Sequence, residues 1–155
     1  MRSLFDLVIV PVDGSDSSRA ALEEAIRAVG AFDGGLIVAV SVVDEDVVLQ
    51  LSRFETRGRA YSERKLEANS MRNLNMAEKM CNAAGVKMEK VIRKGVPYLE
   101  IVEEARSRDA TLIVMGKVGM RGPRRILIGS VTERVIEHAM CPVLVTTGRS
   151  QPSIL

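Results

Sequence analysis

The sequence is poor in the side chains on which many catalytic, metal and nucleic-acid sites depend. Its 155 residues include no tryptophan, two tyrosines, three phenylalanines, two cysteines and one histidine. Scarce aromatics disfavour single-stranded nucleic-acid binding, which relies on stacking platforms. His138 has no second histidine to work with, and Cys81 and Cys141 form no C-x-x-C pair. We therefore expect no catalytic residue and no metal ligand, and we interpret both cysteines as reduced, buried thiols.

An excess of one charge and long apolar runs are also lacking. The chain carries 22 Lys and Arg against 20 Asp and Glu, a net charge of +2, which gives no overall basis for binding nucleic acid or an anionic membrane. No apolar stretch reaches the roughly 18 residues that span a bilayer, and the N-terminal segment lacks the apolar core of a signal peptide. The predictions are a soluble, cytoplasmic protein without nucleic-acid or membrane partners, folded as a single domain over residues 1–155.

Short Val, Ile and Leu runs alternate along the chain with longer segments of helical period. The short runs predict five strands, at residues 7–10, 36–40, 86–92, 112–115 and 143–145. Several of them are nearly continuous apolar runs, which is typical of parallel strands buried on both faces. The pattern therefore indicates a parallel sheet.

Four segments between the strands have helical period and recognisable ends. The second ends before Gly85, the third begins at Pro97, and the fourth opens with Ser130 and Glu133 at the spacing of a capping box. Five strands alternating with four helices predict right-handed βαβ crossovers and a doubly wound, Rossmann-like α/β domain. Residues 44–58 show neither the apolar run of a strand nor the period of a helix. Either a partly helical excursion over a ligand or partner surface or a short irregular turn would account for them.

Polar residues and glycines follow two of the predicted strands. The first strand leads into residues 11–15, with the sequence PVDGS, and the fourth into residues 115–119, with the sequence MGKVG. Open α/β sheets bind ligands at the carboxyl ends of strands where the winding direction reverses. We predict the strand order 3-2-1-4-5, which makes these two strands neighbours and turns Asp13 toward the glycine loop. Because Pro11 lacks a ladder donor, regular pairing of the first strand should end by residue 10.

The loop after the fourth strand has the composition of a phosphate site. Gly116 and Gly119 are followed, after nine residues, by Gly129 and Ser130 at the predicted helix start. Glycines let the backbone approach an anion closely, and free N–H groups at a helix start favour negative charge. On their own, the first two glycines could merely permit a tight turn. The middle of the loop is basic and either screens phosphate or is simply solvated; it carries Arg121, Arg124 and Arg125.

The glycine spacing resembles that of the universal stress protein family, specifically its ATP-binding branch. The resemblance extends to the first-strand segment, the second-strand end at residues 40–44 and the closing segment 129–145, so it covers roughly residues 5–147. It implies that ATP is the bound cofactor. The cofactor-binding residues implied are Pro11, Asp13, Val42, Met115, Gly116, Gly119, Gly129, Ser130, Val131 and Thr132.

The resemblance also implies which part of ATP each residue contacts. Asp13 and Val42 hold the adenosine, Met115 borders the pocket, the first glycine pair lies against ribose and phosphate, and residues 129–132 bind the phosphate chain. The Asp13 carboxylate suits the nucleoside part of ATP, because it can accept hydrogen bonds from ribose or an amino group but would repel phosphate. A divalent ion such as Mg²⁺ or Mn²⁺ would bind mainly through the phosphates.

The predicted function is that of an ATP-binding universal stress protein, a nucleotide-dependent stress or signalling regulator with at most slow ATP hydrolysis. One alternative is an ATP-hydrolysing or pyrophosphatase-like enzyme, whose phosphate loop is faintly echoed by residues 14–17. Another is a dimeric interaction module that binds no nucleotide. A P-loop NTPase is excluded because G-x-x-x-x-G-K-[ST] does not occur.

The two predicted edge strands differ in charge. The third carries Lys87, Glu89 and Lys90 and is followed directly by Arg93, a common defence against edge pairing, whereas the fifth carries no charge. We therefore predict a twofold homodimer formed through Val143, Leu144 and Val145, which the resemblance also implies.

Overall fold

The chain alternates strands and helices as the apolar periodicity predicts. The structure, a computed structural model, describes residues 1–118 and 128–147, so the predictions made for Gly119 and for the three loop arginines lie outside it. The elements are β1 (Leu7–Pro11), α1 (Asp16–Gly30), β2 (Leu36–Asp44), α2 (Glu45–Ser52), α3 (Arg59–Ala83), β3 (Lys87–Gly95), α4 (Pro97–Ser107), β4 (Leu112–Gly116), α5 (Ser130–His138) and β5 (Val143–Thr146).

The five strands form one parallel sheet in the predicted order β3-β2-β1-β4-β5. Side chains on the sheet alternate between two apolar clusters. Val8 and Val10 face the cluster that includes α1 and α3, while Ile9 faces the cluster that includes α4 and α5. All three side chains have no exposed surface. Burial on both faces explains why the strand sequences are continuous apolar runs.

The prediction that strand pairing would end by residue 10 is wrong on one side of β1. Pro11 still pairs with Val40 of β2, and the N–H of Val12 donates to the Val40 carbonyl at 2.8 Å. Alternate residues of β1 bond to opposite neighbours, so Pro11 faces β4. Pairing with β4 ends earlier, at Ile9 and Ile113. The missing proline N–H therefore costs no hydrogen bond with β2 and lies where β1 and β4 separate.

Residues 44–58 hold a fifth helix, in addition to the four that the periodicity predicts. Asp44 ends β2 and also caps α2, since its carboxylate accepts from the N–H of Asp46 at 2.9 Å. Val47 and Val48 of this helix are buried. The helix is short and has no long periodic stripe, which is why its sequence fits neither the helix pattern nor the strand pattern.

The edge strand β3 is tied to α4 and to the turn that follows it by ion pairs around one buried carboxylate. Glu104, only 5% exposed, accepts from Arg93 at 2.6 Å and pairs with Arg108. Arg93 also pairs with Glu100 at 2.6 Å. Burial lowers the pKa of Arg93, but its hydrogen bonds to Glu100 and Glu104 together raise that pKa above its ordinary value. The pKa of Arg108 is raised mainly by its hydrogen bond to Glu89, against burial, with Glu104 adding to the rise. Within residues 1–118 and 128–147, no helix has the length and apolarity needed to cross a membrane.

Candidate functional site

A crevice of about 460 Å³ opens at the carboxyl edge of the sheet, where β1 and β4 separate. The structure brings nine of the ten predicted binding residues to its lining, and the tenth, Gly119, lies outside the described residues. The nine are Pro11, Asp13, Val42, Met115, Gly116, Gly129, Ser130, Val131 and Thr132. The crevice lies at the position where doubly wound folds bind ligands.

The loop between β1 and α1 holds Asp13 at the mouth of the crevice. One carboxylate oxygen accepts from the N–H of Ser15 at 2.9 Å, which is an Asx turn. Ser15 in turn caps α1, its hydroxyl accepting from the N–H of Ser18 at 3.0 Å. Gly14 has a φ of +83°, which a residue with a side chain would rarely adopt. The exposed Asp13 carboxylate is thus fixed by its own loop.

The end of β4 packs against the start of α1 more closely than any side chain would allow. A Cβ built on Gly116 would lie 2.5 Å from the backbone carbon of Ser17 and 2.6 Å from its oxygen. The Ser17 hydroxyl also accepts from the N–H of Val118 at 3.2 Å. Glycine at position 116 is therefore required by packing, apart from any ligand.

The first turn of α5 reaches the same place. The Thr132 hydroxyl donates to the Gly116 carbonyl at 2.9 Å, and the N–H of Gly129 donates to the Lys117 carbonyl at 2.8 Å. These two bonds fix the start of α5 against the end of β4. The chain at Val118 is therefore held close to the chain at residue 128.

The capping box predicted for Ser130 and Glu133 is wrong. The residue that precedes α5 in extended conformation is Gly129, with φ −67° and ψ 152°, and no side chain caps the helix. Ser130 is already helical, so its hydroxyl cannot reach the third N–H as a cap would. The N–H of Glu133 bonds to the Gly129 carbonyl at 3.0 Å, and the three earlier N–H groups have no acceptor within the helix. They belong to crevice-lining residues, so this end of the crevice favours an anion.

The lining of the crevice also includes residues that were not predicted to bind a ligand. They come from β2, α2, α3 and α4: Ser41, Asp44, Val47, Leu66, Asn69, Ser70, Asn73, Pro97 and Ile101. The available signal was the pair Ser70 and Asn73, each one turn before a core residue of α3, Leu74 and Ala77 respectively, while Asn69 beside them is exposed.

The remaining candidate groups lie away from the crevice. His138 is at the end of α5, with Nδ1 2.8 Å from the Arg134 carbonyl oxygen and the ring 5.3 Å from that of Tyr98. Cys81 is fully buried, and burial raises the pKa of its thiol to about 11. Among the described residues, no group of three or more His, Cys, Asp or Glu side chains is placed to hold a metal ion.

Comparison with known proteins gives one family. The universal stress protein family profile matches residues 5–147. Universal stress protein MJ0531 of Methanocaldococcus jannaschii is 41% identical over 143 residues, which is 92% of this chain and 82% of that protein. The solved structure of MJ0577 from the same organism has a TM-score of 0.81 at 27% identity and covers 93% of this chain and 96% of that one. A universal stress protein solved in complex with cAMP has a TM-score of 0.69 at 25% identity, covering 94% and 99%. The chain belongs to the universal stress protein family.

Proposed function

We propose that this protein binds ATP in the crevice and acts as a nucleotide-dependent regulator. The observation that carries the proposal is the polarity of the crevice, which joins an uncapped helix start at α5 to an accepting carboxylate at Asp13. The first suits phosphate, and the second suits ribose hydroxyls or an amino group but repels phosphate. An elongated ligand with an anionic end and a neutral, hydrogen-bonding end matches both.

ATP is preferred over smaller adenine nucleotides because of the number of donors at the anionic end. The first three residues of α5 line the crevice, and their N–H groups together with the Ser130 hydroxyl are enough donors for more than one phosphate group. The family member solved with cAMP supports an adenine nucleotide in this fold. A Mg²⁺ or Mn²⁺ ion would be held through the phosphates, since the lining carboxylates, Asp13 and Asp44, lie at the ends of β1 and β2, whereas the start of α5 is bonded to the end of β4.

The residues that line the crevice favour a regulator over an enzyme. No histidine, cysteine or lysine is found among the described lining residues, and Asp13 belongs to the nucleoside end in our assignment. An attacking water would therefore lack a general base beside the phosphates. We propose at most slow hydrolysis, which steady-state turnover measurements would quantify.

The direct test is to denature the purified protein, chromatograph the released small molecules and titrate the ligand-free protein with ATP, AMP and cAMP by calorimetry. Ser130→Glu should abolish ATP binding because it adds a carboxylate at the anionic end, while a glutamate in a first turn is favourable to the helix. Leu99→Glu is the matched control, since Leu99 is exposed in the first turn of α4 and does not line the crevice. No nucleotide released and no ATP binding would refute the proposal.

We further propose a homodimer formed by pairing of β5 with its counterpart. β5 is an edge strand without charge, and Leu144 on it is 44% exposed. Leu144→Lys should convert the dimer to a monomer in sedimentation measurements. The same change at Ile92, which is 37% exposed on the opposite edge strand, should not. A wild-type protein that sediments as a monomer would refute the dimer.

A further inference from the structure

The interface between β2 and α3 contains three uncharged polar side chains in an otherwise apolar cluster. On β2, Ile37 and Ala39 pack toward α3, and strand alternation puts Ser41 on the same face. On α3, Ser70 and Asn73 each lie one turn before a residue of that cluster, Leu74 and Ala77 respectively. All three polar residues line the crevice. Ser41 is 3% and Ser70 is 6% exposed.

These three side chains are not used by the fold. In the described part of the chain, neither serine hydroxyl nor the Asn73 amide makes a hydrogen bond. Every side-chain oxygen or nitrogen in that part that is sealed from solvent has a hydrogen-bond partner. The two hydroxyls therefore keep contact with the open space of the crevice, although their residues are more than nine-tenths buried. A buried polar group is normally hydrogen-bonded, so these groups are available to a ligand.

The surroundings define the kind of ligand group that fits. Val47 and Leu66 supply apolar walls, and Asn73 lies against Gly14, next to Asp13. Hydroxyl and amide groups both donate and accept, so they match a neutral group with donors and acceptors along one edge. A flat heteroaromatic base has such an edge, and its faces suit apolar walls.

We infer that Ser41, Ser70 and Asn73 bind the hydrogen-bonding edge of the nucleotide base. The inference rests on the proposed function, since it requires the phosphates to lie at α5. Asp13 and Asp44, at the carboxyl ends of the neighbouring strands β1 and β2, also line the crevice, and carboxylate oxygens accept only. They favour the 6-amino group of adenine, a donor, over the 6-oxo group of hypoxanthine. The expected selectivity is therefore for ATP over ITP.

The test compares ATP, ITP and inorganic tripolyphosphate on wild-type protein and on Asn73→Ala. One lost hydrogen bond to the base should weaken ATP binding and ITP binding about fivefold each, with tripolyphosphate binding unchanged. Asn75→Ala is the matched control, because Asn75 lies two residues further along α3 and its amide oxygen accepts from Lys90 at 3.2 Å, outside the crevice. Ser70→Ala is the second variant, should Asn73→Ala fail to fold.

The outcomes separate this inference from the proposed function. Wild-type protein that binds no nucleotide would overturn both. Normal binding of ATP and ITP by the variants would overturn the inference alone. Equal losses for ATP, ITP and tripolyphosphate would show a merely structural effect and overturn it as well. A changed preference between ATP and 2′-deoxy-ATP would place the sugar against α3 and also overturn it.

Discussion

Replacing Gly116 with alanine should destabilise the fold, because the new methyl group would overlap the backbone of Ser17. The Cβ position lies 2.5 Å from the Ser17 carbonyl carbon and 2.6 Å from its oxygen, about 1 Å inside normal contact distance. Backbone atoms cannot rotate away as a flexible side chain would. Either β4 or the first turn of α1 must move, and the cores on both faces of the sheet resist that movement.

The size of the effect follows from the cost of overpacking. Forcing an extra methyl group into a close-packed site costs about 1–3 kcal/mol, which lowers Tm by about 2–4 °C for each kcal/mol in a chain of this size. The Ser17 hydroxyl lies even closer to the added Cβ than the backbone does. The Ser17→Ala change removes this hydroxyl but leaves the backbone overlap, so it should rescue Gly116→Ala only in part. The double-mutant cycle therefore measures how much of the cost comes from the side chain.

Urea unfolding followed by far-UV circular dichroism would measure the loss, since the chain has no tryptophan for fluorescence. Gly30→Ala is the matched control. Gly30 is the last residue of α1, and its added Cβ would meet only Val86 at 3.5 Å, an ordinary contact. The control should be neutral or stabilising by about 0.5 kcal/mol. If both alanine variants unfolded at the wild-type urea concentration, close packing at Gly116 would not be a constraint on the fold.

Three further predictions concern single groups. Glu104→Ala should cost about 2 kcal/mol because two arginines lose a buried partner, whereas Glu103→Ala should leave the urea midpoint unchanged because Glu103 is half-exposed; equal effects would contradict the role of burial. Thr132→Val should cost about 1 kcal/mol through loss of its hydrogen bond to Gly116, and an unchanged midpoint would contradict it. At pH 8, Cys81 should carry about a hundredfold less thiolate than an ordinary thiol, since its pKa is raised from 9.0 to about 11, so mass spectrometry after brief alkylation should find it unmodified until the protein unfolds.

The strands were predictable because the sheet is buried on both faces, whereas their order was predicted by placing the polar ends of the first and fourth strands in one crevice. A strand such as β1 needs apolar residues at every position, so its sequence carries a continuous run that few other structures would require. The capping box failed for a local reason. Ser130 and Gly129 can both precede a helix, and the S-x-x-E spacing does not say which of them takes the extended conformation. Contact with the end of β4, through Gly129 and Lys117, fixes the choice.

The α3 side of the crevice was not predictable in the same way. Ser70 and Asn73 reach the crevice only because α3 packs across β2, about thirty residues away in the chain, and α2 had not been recognised between them. A serine and an asparagine within a helix are ordinary surface residues by composition alone. Their significance comes from burial and from the absence of partners among the described residues, which are properties of the folded chain.

Packing and ligand binding give separate reasons for the glycines of the phosphate loop. Gly116 is required by its contact with Ser17 whether or not a nucleotide binds, so its presence in the G-x-x-G spacing carries little weight for function. Gly129 takes a conformation open to other residues, and what it provides is a helix start without a side-chain cap. The case for an anion therefore rests on the first turn of α5 and its place in the crevice. For that reason Ser130→Glu, and not Gly116→Ala, is the substitution that tests nucleotide binding separately from folding.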